Sequence, residues 1–179
     1  MNTASAPMPS SSAAPDFDVV IIGGGMSGLY QLYRVRELGL SVRVIEDGED
    51  VGGTWYWNRY PGARFDSESY TYAYSFSPEL LQEWSWSEHF APQPETLRYV
   101  QHVADRFDLR RHIVFGRRVV SARWDEASRT WVLRLNDDTQ LRARFLVTAI
   151  GNLSIPTTPK IPGIERFRGQ WCHLSLIHI

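Results

Sequence analysis

The chain has 179 residues, of which 43% are hydrophobic and 22% charged, an ordinary composition for a globular domain. Its formal net charge of −1 gives no electrostatic basis for binding nucleic acid or an anionic membrane, so we expect neither partner. The single cysteine excludes a disulfide scaffold and is typical of the reducing cytoplasm, and the five histidines lack metal-ligand spacing, so no metal site is predicted.

The composition of residues 1–16 predicts a disordered leader. It carries no charge before Asp16 and is rich in Ser, Ala and Pro. A signal peptide would need a basic start and an apolar core, and no apolar run in the chain approaches the ~18 residues that cross a bilayer. We therefore expect the folded domain to begin at Phe17.

A strand–helix–strand unit follows the leader. Residues 18–22 form a short apolar run rich in β-branched side chains, which is typical of a buried parallel strand. Apolar residues then recur at helical spacing as far as Gly39, which is suited to end a helix, and residues 41–46 form a second strand. This order predicts a right-handed crossover within a parallel sheet.

Glycines mark the junction between the first strand and the first helix. Residues 23–28 read GGGMSG and satisfy the pattern G-x-G-x-x-G. Gly23 permits a tight turn, Gly25 lets the backbone approach a diphosphate, and Gly28 lets helix and strand pack closely. The N-terminus of the helix, at Met26 and Ser27, then offers free N–H groups to the phosphates. The sequence predicts a dinucleotide-binding site here.

An acidic residue supports this prediction. Glu46 ends the second strand, 18 residues after Gly28. A carboxylate in this place accepts hydrogen bonds from a ribose diol and repels a 2′-phosphate. The alternative, a plain tight turn, does not account for the acid, and the acid favours FAD or NAD over NADP.

The rest of the chain changes from loops to helices and then to strands. Residues 47–76 are rich in loops and aromatic side chains, Ser77 begins a helix with a proline after it, and residues 94–107 form a longer helix. Further strands are predicted at residues 119–124, 130–135, 140–144 and 145–150. The first three are separated by polar turns and indicate an antiparallel meander.

A second pair of glycines, Gly52 and Gly53, precedes Thr54. In this pair the chain resembles the FAD-dependent flavoproteins that have two dinucleotide-binding domains. This resemblance implies FAD rather than NAD as the cofactor. In the disulfide reductases of that superfamily two cysteines follow. Here those positions hold Trp55 and Tyr60, so no redox dithiol can form.

The following motif is more specific. Residues 52–66 read GGTWYWNRYPGARFD and meet every specified position of the pattern [AG]-G-x-W-x4-[FY]-P-[GM]-x3-D. This pattern marks the flavin-dependent Baeyer–Villiger monooxygenases. From about Phe17 to His173 the chain resembles this family, its phenylacetone and cyclohexanone monooxygenase members in particular.

The resemblance implies an α/β fold. The expected domain is a Rossmann-like FAD-binding domain of the two-dinucleotide type, with a parallel sheet, helices and an antiparallel β-meander, incomplete at the C-terminus. The implied cofactors are FAD and NADPH, and the implied reaction inserts one oxygen atom of dioxygen beside a ketone carbonyl to give an ester or lactone. Two alternatives stay open, a flavin-containing N- or S-monooxygenase and a FAD-binding fragment without catalysis. The sequence predicts neither the individual ketone nor the oligomeric state.

Aromatic residues are assigned to the cofactor site through the same resemblance. Trp55, with Gly53 and Thr54, is expected beside the flavin, where a flat wall would exclude water. Tyr72 matches a family position that touches FAD, and core packing is the alternative. For Trp55, too, core packing is the alternative. We expect Trp57 to be part of the core, and a place in the cofactor wall is its alternative.

Asp66 is the catalytic candidate. It is expected to be a partly buried carboxylate that needs a cationic partner, which the family implies is an arginine further along than this chain extends. Capping of the local turn is the alternative. Arg64 and Asp66 match positions near the nicotinamide cofactor, and Val119 or Val120 matches positions that contact the adenine through backbone groups.

The end of the chain departs from the family. Residues 167–173 begin the second fingerprint, F-x-G-x3-H-x3-W, but Ile177 stands where the tryptophan is expected. Residues 174–179 read LSLIHI, which is what the start of a widely used transposon sequencing adapter encodes. We therefore expect a partial FAD-binding domain over residues 17–173 and a non-native tail over residues 174–179, with a divergent natural C-terminus as the alternative. Missing packing partners predict exposed apolar surface, weak folding and aggregation.

Overall fold

A mixed six-stranded sheet forms the centre of the molecule in a computed structural model that describes residues 14–174. The strands are β1 (Phe17–Ile22), β2 (Val42–Ile45), β3 (Ile113–Val114), β4 (Val119–Asp125), β5 (Thr130–Leu135) and β6 (Gln140–Thr148). Their spatial order is β3-β2-β1-β6-β5-β4. The predicted leader and tail lie outside the described residues, except for residues 14–16 and Leu174.

Five α-helices accompany the sheet. They are α1 (Met26–Glu37), α2 (Thr54–Trp57), α3 (Ser69–Tyr72), α4 (Pro78–Glu83) and α5 (Gln93–Arg106), and two short 3₁₀ turns lie at Arg110–His112 and Ile164–Arg166. The predicted α/β Rossmann-like arrangement is confirmed, because β1, α1 and β2 form a crossover with β1 and β2 paired in parallel.

Both faces of β1 are buried, which explains its unbroken apolar sequence. Val19 and Ile21 face a core built mainly by α1 and α5, with Leu32 and Val100 fully covered. Val20 faces a second cluster built with the meander strands and the adjacent part of the sheet. The sheet therefore has side chains packed on each side of its centre.

The predicted helix boundaries depend on local backbone chemistry. α1 stops because Gly39 adopts a φ of +72°, and its N–H donates to the carbonyl of Arg36. α4 starts because the Ser77 hydroxyl accepts a hydrogen bond from the Leu80 N–H over 3.2 Å. The longer helix was expected over residues 94–107 and is found one residue earlier, as α5.

The strand prediction needs one correction near the end of the sheet. Residues 140–144 and 145–150 were expected to form two strands, but they form the single strand β6. The first half of β6 pairs antiparallel with β5 and its second half pairs parallel with β1. Because β6 is paired with β5 or β1 along its length, and with both at Ala143, the strand is not interrupted between its two halves. The short elements β3, α2 and α3 were not predicted, since two to four residues are too few for a periodic pattern.

Residues 149–174 follow β6, and the 3₁₀ turn Ile164–Arg166 lies within them. No residue from Ile150 to Leu174 is buried, and large apolar side chains there are exposed, including Ile155 at 85% and Trp171 at 60%. Across the described range, no helix combines the length and the apolar character that crossing a membrane requires.

Candidate functional site

The site is a glycine-lined cradle where β1 passes into α1. A Cβ atom added to Gly28 would lie 1.9 Å from the Gly23 carbonyl oxygen, so α1 can approach β1 only with glycine at this position. Gly23 has a φ of +105°, and a Cβ there would lie 2.5 Å from the Ala149 carbonyl oxygen. Both glycines are therefore fixed by close backbone contacts.

The first turn of α1 presents amides that its own helix does not use. The first bond of the helical ladder is donated by the Leu29 N–H to the Gly25 carbonyl over 3.0 Å. The amides of Met26, Ser27 and Gly28 precede that bond and lie outside the ladder. With the partial positive charge of the helix N-terminus they form a site suited to a phosphate group.

The second glycine pair packs directly against the cradle. The Gly52 N–H donates to the Gly24 carbonyl over 3.1 Å. Gly53 adopts a φ of +53°, and a Cβ there would lie 2.8 Å from the Cα of Gly25. The two glycine segments thus meet backbone to backbone, and Thr54 begins α2 immediately beyond the contact. Sequence reasoning predicted both segments for one site, and the structure brings them together.

Glu46 lies against the same turn. Its side chain is 5% exposed, and its carboxylate accepts hydrogen bonds from the amides of Gly24 and Gly48. A carboxylate has about four acceptor positions, so two bonds leave capacity for the hydroxyls of a ribose. The predicted sugar-binding acid is therefore at the cradle, held in place by backbone N–H groups.

The loop that carries the second glycine pair is held by Asp50, which sequence reasoning missed. Its carboxylate accepts hydrogen bonds from the Val51 amide over 2.7 Å, from Gln101 over 2.8 Å and from Arg110. Partial burial alone would raise the pKa of Asp50, but the hydrogen bonds from Arg110, the Val51 amide and Gln101 hold it below its usual value. An acid close before a Gly-Gly pair was the only signal in the sequence, and its side-chain partners lie more than 50 residues away.

Trp55 lies in a compact aromatic cluster behind the second glycine pair. Its side chain is buried, and its indole N–H donates to the Tyr72 hydroxyl over 2.7 Å. Phe65 stacks on Tyr72 with ring centres 4.5 Å apart and meets Trp55 edge to face. The side-chain amide of Gln93 donates to the Trp55 carbonyl. Both aromatic residues assigned to the cofactor site thus share one cluster, where burial raises the pKa of Tyr72 and favours its neutral form.

The prediction that Trp57 belongs to the core is wrong. Its side chain is 49% exposed and contacts the edge of Tyr56. α2 is a single turn, and residues two positions apart lie on opposite sides of a helix. Burial of Trp55 therefore turns Trp57 outward.

Asp66 is exposed, whereas partial burial was expected. Arg64 forms an isolated antiparallel bridge with Pro92, and burial alternates from residue to residue over 63–66. Ala63 and Phe65 are buried, which places Arg64 and Asp66 on the outer side. Among the described residues no cation pairs with Asp66. Arg64 instead donates to the Glu88 carboxylate over 2.9 Å and to the Phe90 carbonyl over 3.1 Å.

Val119 and Val120 lie at the start of β4, next to the segment that holds the Glu46 backbone. The Arg117 N–H donates to the Glu46 carbonyl over 2.9 Å, which brings this strand to the acid end of the cradle. The pairing register with β5 shifts between Val119 and Ser121, so Val120 is the extra residue of a bulge and is 44% exposed.

An open cleft of about 520 Å³ lies beside the first turns of α1. Met26, Ser27, Tyr30 and Arg34 line it on the helix side, and the chain at 73–76 lines the other side. The cleft therefore adjoins the free amides of the cradle.

Comparison with known proteins shows what this segment is similar to. Residues 21–84 match the NAD(P)-binding Rossmann-like domain family. The chain is 45% identical over 88% of its length to a Baeyer–Villiger monooxygenase of Pseudooceanicola batsensis. Over the segment that it spans, the chain is therefore similar to the amino-terminal part of a Baeyer–Villiger monooxygenase. It covers 29% of that relative, so it spans less than a third of the length of such monooxygenases.

Two further proteins are similar to the chain over the same segment. A phenazine N-monooxygenase of Lysobacter antibioticus is 45% identical over 88% of the chain, which covers 29% of that protein. The crystal structure of OTEMO in complex with FAD and NADP superposes with a TM-score of 0.82 at 48% identity, over 91% of this chain and 31% of that one.

Proposed function

We propose that this chain is the FAD-binding amino-terminal part of a longer, NADPH-dependent Baeyer–Villiger monooxygenase. The reaction would take a ketone, dioxygen and NADPH and give an ester or lactone. The observation that carries the proposal is the backbone contact between Gly25 and Gly53, because it joins the dinucleotide motif to the Baeyer–Villiger fingerprint in one site.

The residues of the cradle fit the diphosphate and ribose of FAD. Gly23 and Gly28 hold the turn and the helix in place through their close backbone contacts. Gly25 would let the backbone approach the diphosphate, and the amides of Met26 and Ser27 would donate to it. Glu46 would accept from the ribose hydroxyls. A side chain at the glycine contacts would fill the space or force the backbone apart.

Other parts of the chain would surround the remainder of the cofactor. Gly53, Thr54 and Trp55 would lie toward the flavin ring, with Tyr72 behind Trp55. The bulge at Val119 and Val120 would face the adenine through its backbone. These assignments are supported by the placement of both segments around Glu46 and the second glycine pair.

When bound, the flavin would supply hydride and dioxygen chemistry with NADPH. The chain would position the cofactor, exclude water from the site and supply charged side chains. The buried cluster of Trp55, Phe65 and Tyr72 would keep water away from one side of the site. Asp66 would act as the catalytic carboxylate and Arg64 would lie near the nicotinamide. Both side chains are exposed, so an arginine from elsewhere in the protein would contact Asp66 without displacing a buried side chain.

The domain boundaries belong to the same proposal. Residues 17–173 would be a partial FAD-binding domain, and residues 174–179 a tail foreign to the natural protein. The remaining sheet, the NADPH site and the partner of Asp66 would come from further polypeptide. We also propose that the protein acts in the cytoplasm.

The protein encoded by the complete source gene provides the test. Purified protein should be yellow, release FAD on denaturation, and consume NADPH in step with conversion of cyclic and aryl ketones to lactones or esters measured by mass spectrometry. Asp66→Asn should retain flavin and lose at least tenfold in product formation. Protein that carries no flavin and takes none up would refute the proposal.

Oxygenation of a nitrogen atom is the second candidate. The phenazine N-monooxygenase resembles the chain as closely as the Baeyer–Villiger enzyme does, at 45% identity over 88% of the chain. A panel of phenazines and tertiary amines run beside the ketones would separate the two reactions. N-oxide products without lactone or ester would favour this candidate.

A further inference from the structure

Tyr74 joins the dinucleotide helix to the loop after the fingerprint. Its hydroxyl donates to the Met26 carbonyl over 2.5 Å, although the two residues are 48 positions apart. Its own backbone N–H donates to the hydroxyl of Tyr99 over 2.8 Å, and Tyr99 is fully buried in the core between α1 and α5. The phenol of Tyr74 is therefore held from behind while it contacts the first turn of α1.

The Tyr74 hydroxyl is in its protonated form at neutral pH. Burial and the neighbouring hydroxyls of Tyr99 and Tyr72 raise its pKa above the ordinary tyrosine value. The phenol is therefore able to donate. The Met26 carbonyl can only accept, so the direction of this hydrogen bond is fixed.

The contact acts on one of the cradle amides. The Met26 carbonyl and the Ser27 N–H belong to the same peptide group, and the Ser27 N–H lies outside the helical ladder. A hydrogen bond accepted by the carbonyl polarises that peptide group and strengthens the donor at its other end, by roughly 10–30% per bond in a chain. The same bond also restrains the rotation of the peptide plane at the helix start.

We propose that Tyr74 is a positioning residue for the cofactor diphosphate, because its hydroxyl holds and polarises the Met26–Ser27 peptide whose N–H faces the cradle. The inference rests on the proposed function, which puts the diphosphate of FAD at that amide. It adds a residue that neither the glycine motif nor the fingerprint contains. The competing view is that Tyr74 only packs against Tyr30, Phe76 and Tyr99, with which its ring is in contact.

Tyr74→Phe separates these views, since it keeps the ring and removes the hydroxyl. In the complete flavoenzyme we expect the dissociation constants of FAD and of ADP to rise by the same factor, roughly five- to tenfold. The phosphorus NMR signals of bound FAD should also shift, because the diphosphate contacts the altered peptide.

Two matched variants control for packing. Tyr30→Phe removes a hydroxyl from a ring stacked on Tyr74 that has no hydrogen bond in the described structure, and it should leave all readings unchanged. Tyr99→Phe removes the acceptor of the Tyr74 N–H but keeps the Tyr74 hydroxyl, so it should lower the melting temperature of the apoprotein and shift the phosphorus signals of bound FAD less than Tyr74→Phe does. Replacement of Tyr74 by a fluorinated tyrosine, a stronger donor, should move those signals in the direction opposite to Tyr74→Phe.

Each outcome either supports or overturns the inference. Wild-type protein that binds no FAD refutes the proposed function, and this inference with it. If the wild type binds FAD but Tyr74→Phe changes neither affinity by more than about twofold and leaves the phosphorus signals in place, the inference alone is overturned. The inference is also overturned if the Tyr74 and Tyr99 variants lose FAD affinity equally and neither shifts the phosphorus signals, because that result indicates a packing role only. Should Tyr74→Phe not fold, the fluorinated variant decides between the two views, because a shift of its phosphorus signals supports positioning and an unchanged spectrum excludes it.

Discussion

Two regions of the molecule differ sharply in how they are packed. Residues 17–57 contain β1, α1, β2 and the second glycine pair, and their buried side chains and backbone contacts are completed within the described structure. Residues 149–174 are as apolar in places but contain no buried side chain. The contrast shows that apolar composition alone does not produce a core, because packing also requires partners at the right distance.

The partners explain the difference. In the first region β1 pairs with β2 and packs against α1, and both follow it within about 30 residues of sequence. β6 pairs with the other edge of β1, and α5 covers the same core. In the second region Ile155, Phe167 and Trp171 have at least half of their side chains exposed. We propose that further polypeptide of the longer enzyme covers them.

The strongest test of the tightly packed region is Gly28→Ala. The new Cβ would lie 1.9 Å from the Gly23 carbonyl oxygen, so the helix must move away from the strand. We expect flavin binding to be abolished and the free energy of unfolding to fall by about 3 kcal/mol or more, measured by flavin content and chemical denaturation.

Gly39→Ala is the matched control. Unlike Gly28, Gly39 has a positive φ of +72°, and open space surrounds it, so only backbone strain of about 1 kcal/mol is expected and flavin should remain bound. If both variants lost the same flavin content and the same free energy of unfolding, the close contact at Gly28 would not be what the cradle depends on.

The second test compares two tryptophans two positions apart. Trp55→Ala removes a buried ring and its hydrogen bond to Tyr72, and should cost about 3–5 kcal/mol of stability. Trp57→Ala removes a half-exposed ring and should cost less than about 1 kcal/mol. Urea denaturation of both variants gives the comparison, and a reversed order would contradict the assignment of Trp55 to the packed cluster.

The third test is the acid dependence of the loop held by Asp50. Its pKa is lowered in the folded state, so the stability that its carboxylate contributes is complete above the ordinary aspartate value of about 4 and is lost as the pH falls through the folded value. Asp50→Asn should cost about 1 kcal/mol at pH 7, because the Arg110 partner is partly exposed. It should cost progressively less below pH 4, in denaturation measured across that range. A pH-independent difference would show that ionisation is not involved.

The smallest effect is expected in the exposed stretch. Ile155→Ser in the 179-residue chain alone should change stability by less than about 0.5 kcal/mol and reduce self-association, measured by light scattering. In the longer enzyme the same substitution should cost about 1–2 kcal/mol if further polypeptide covers the side chain. If Ile155→Ser changed stability equally in the 179-residue chain and in the longer enzyme, the proposal that further polypeptide covers Ile155 would be wrong.

Sequence reasoning predicted the parts of the fold that local chemistry determines. The β1–α1–β2 unit, the end of α1 at Gly39 and the start of α4 at Ser77 follow from periodicity, a positive φ and a side-chain cap. The motifs assigned Gly25 and Gly53 to one cofactor site, but their direct backbone contact was not predicted.

Contacts between distant segments could not be predicted in the same way. Asp50 with Arg110, Tyr74 with Met26 and Gln93 with Trp55 join residues 38 to 60 positions apart, and no periodic pattern marks such pairs. The errors at Trp57 and Asp66 have a similar origin. A single-turn helix and a short extended segment decide which side chains turn inward, and both are too short to be read from the sequence.

The continuity of β6 has a mechanical consequence. One strand is hydrogen-bonded to the meander at its start and to β1 at its end, and Ala149 then donates its N–H to the Ile22 carbonyl beside Gly23. Backbone hydrogen bonds therefore connect the meander to the glycine-lined cradle without a break. A ligand that touches both would meet a preorganised surface, and little of its binding energy would be spent on bringing the two walls together.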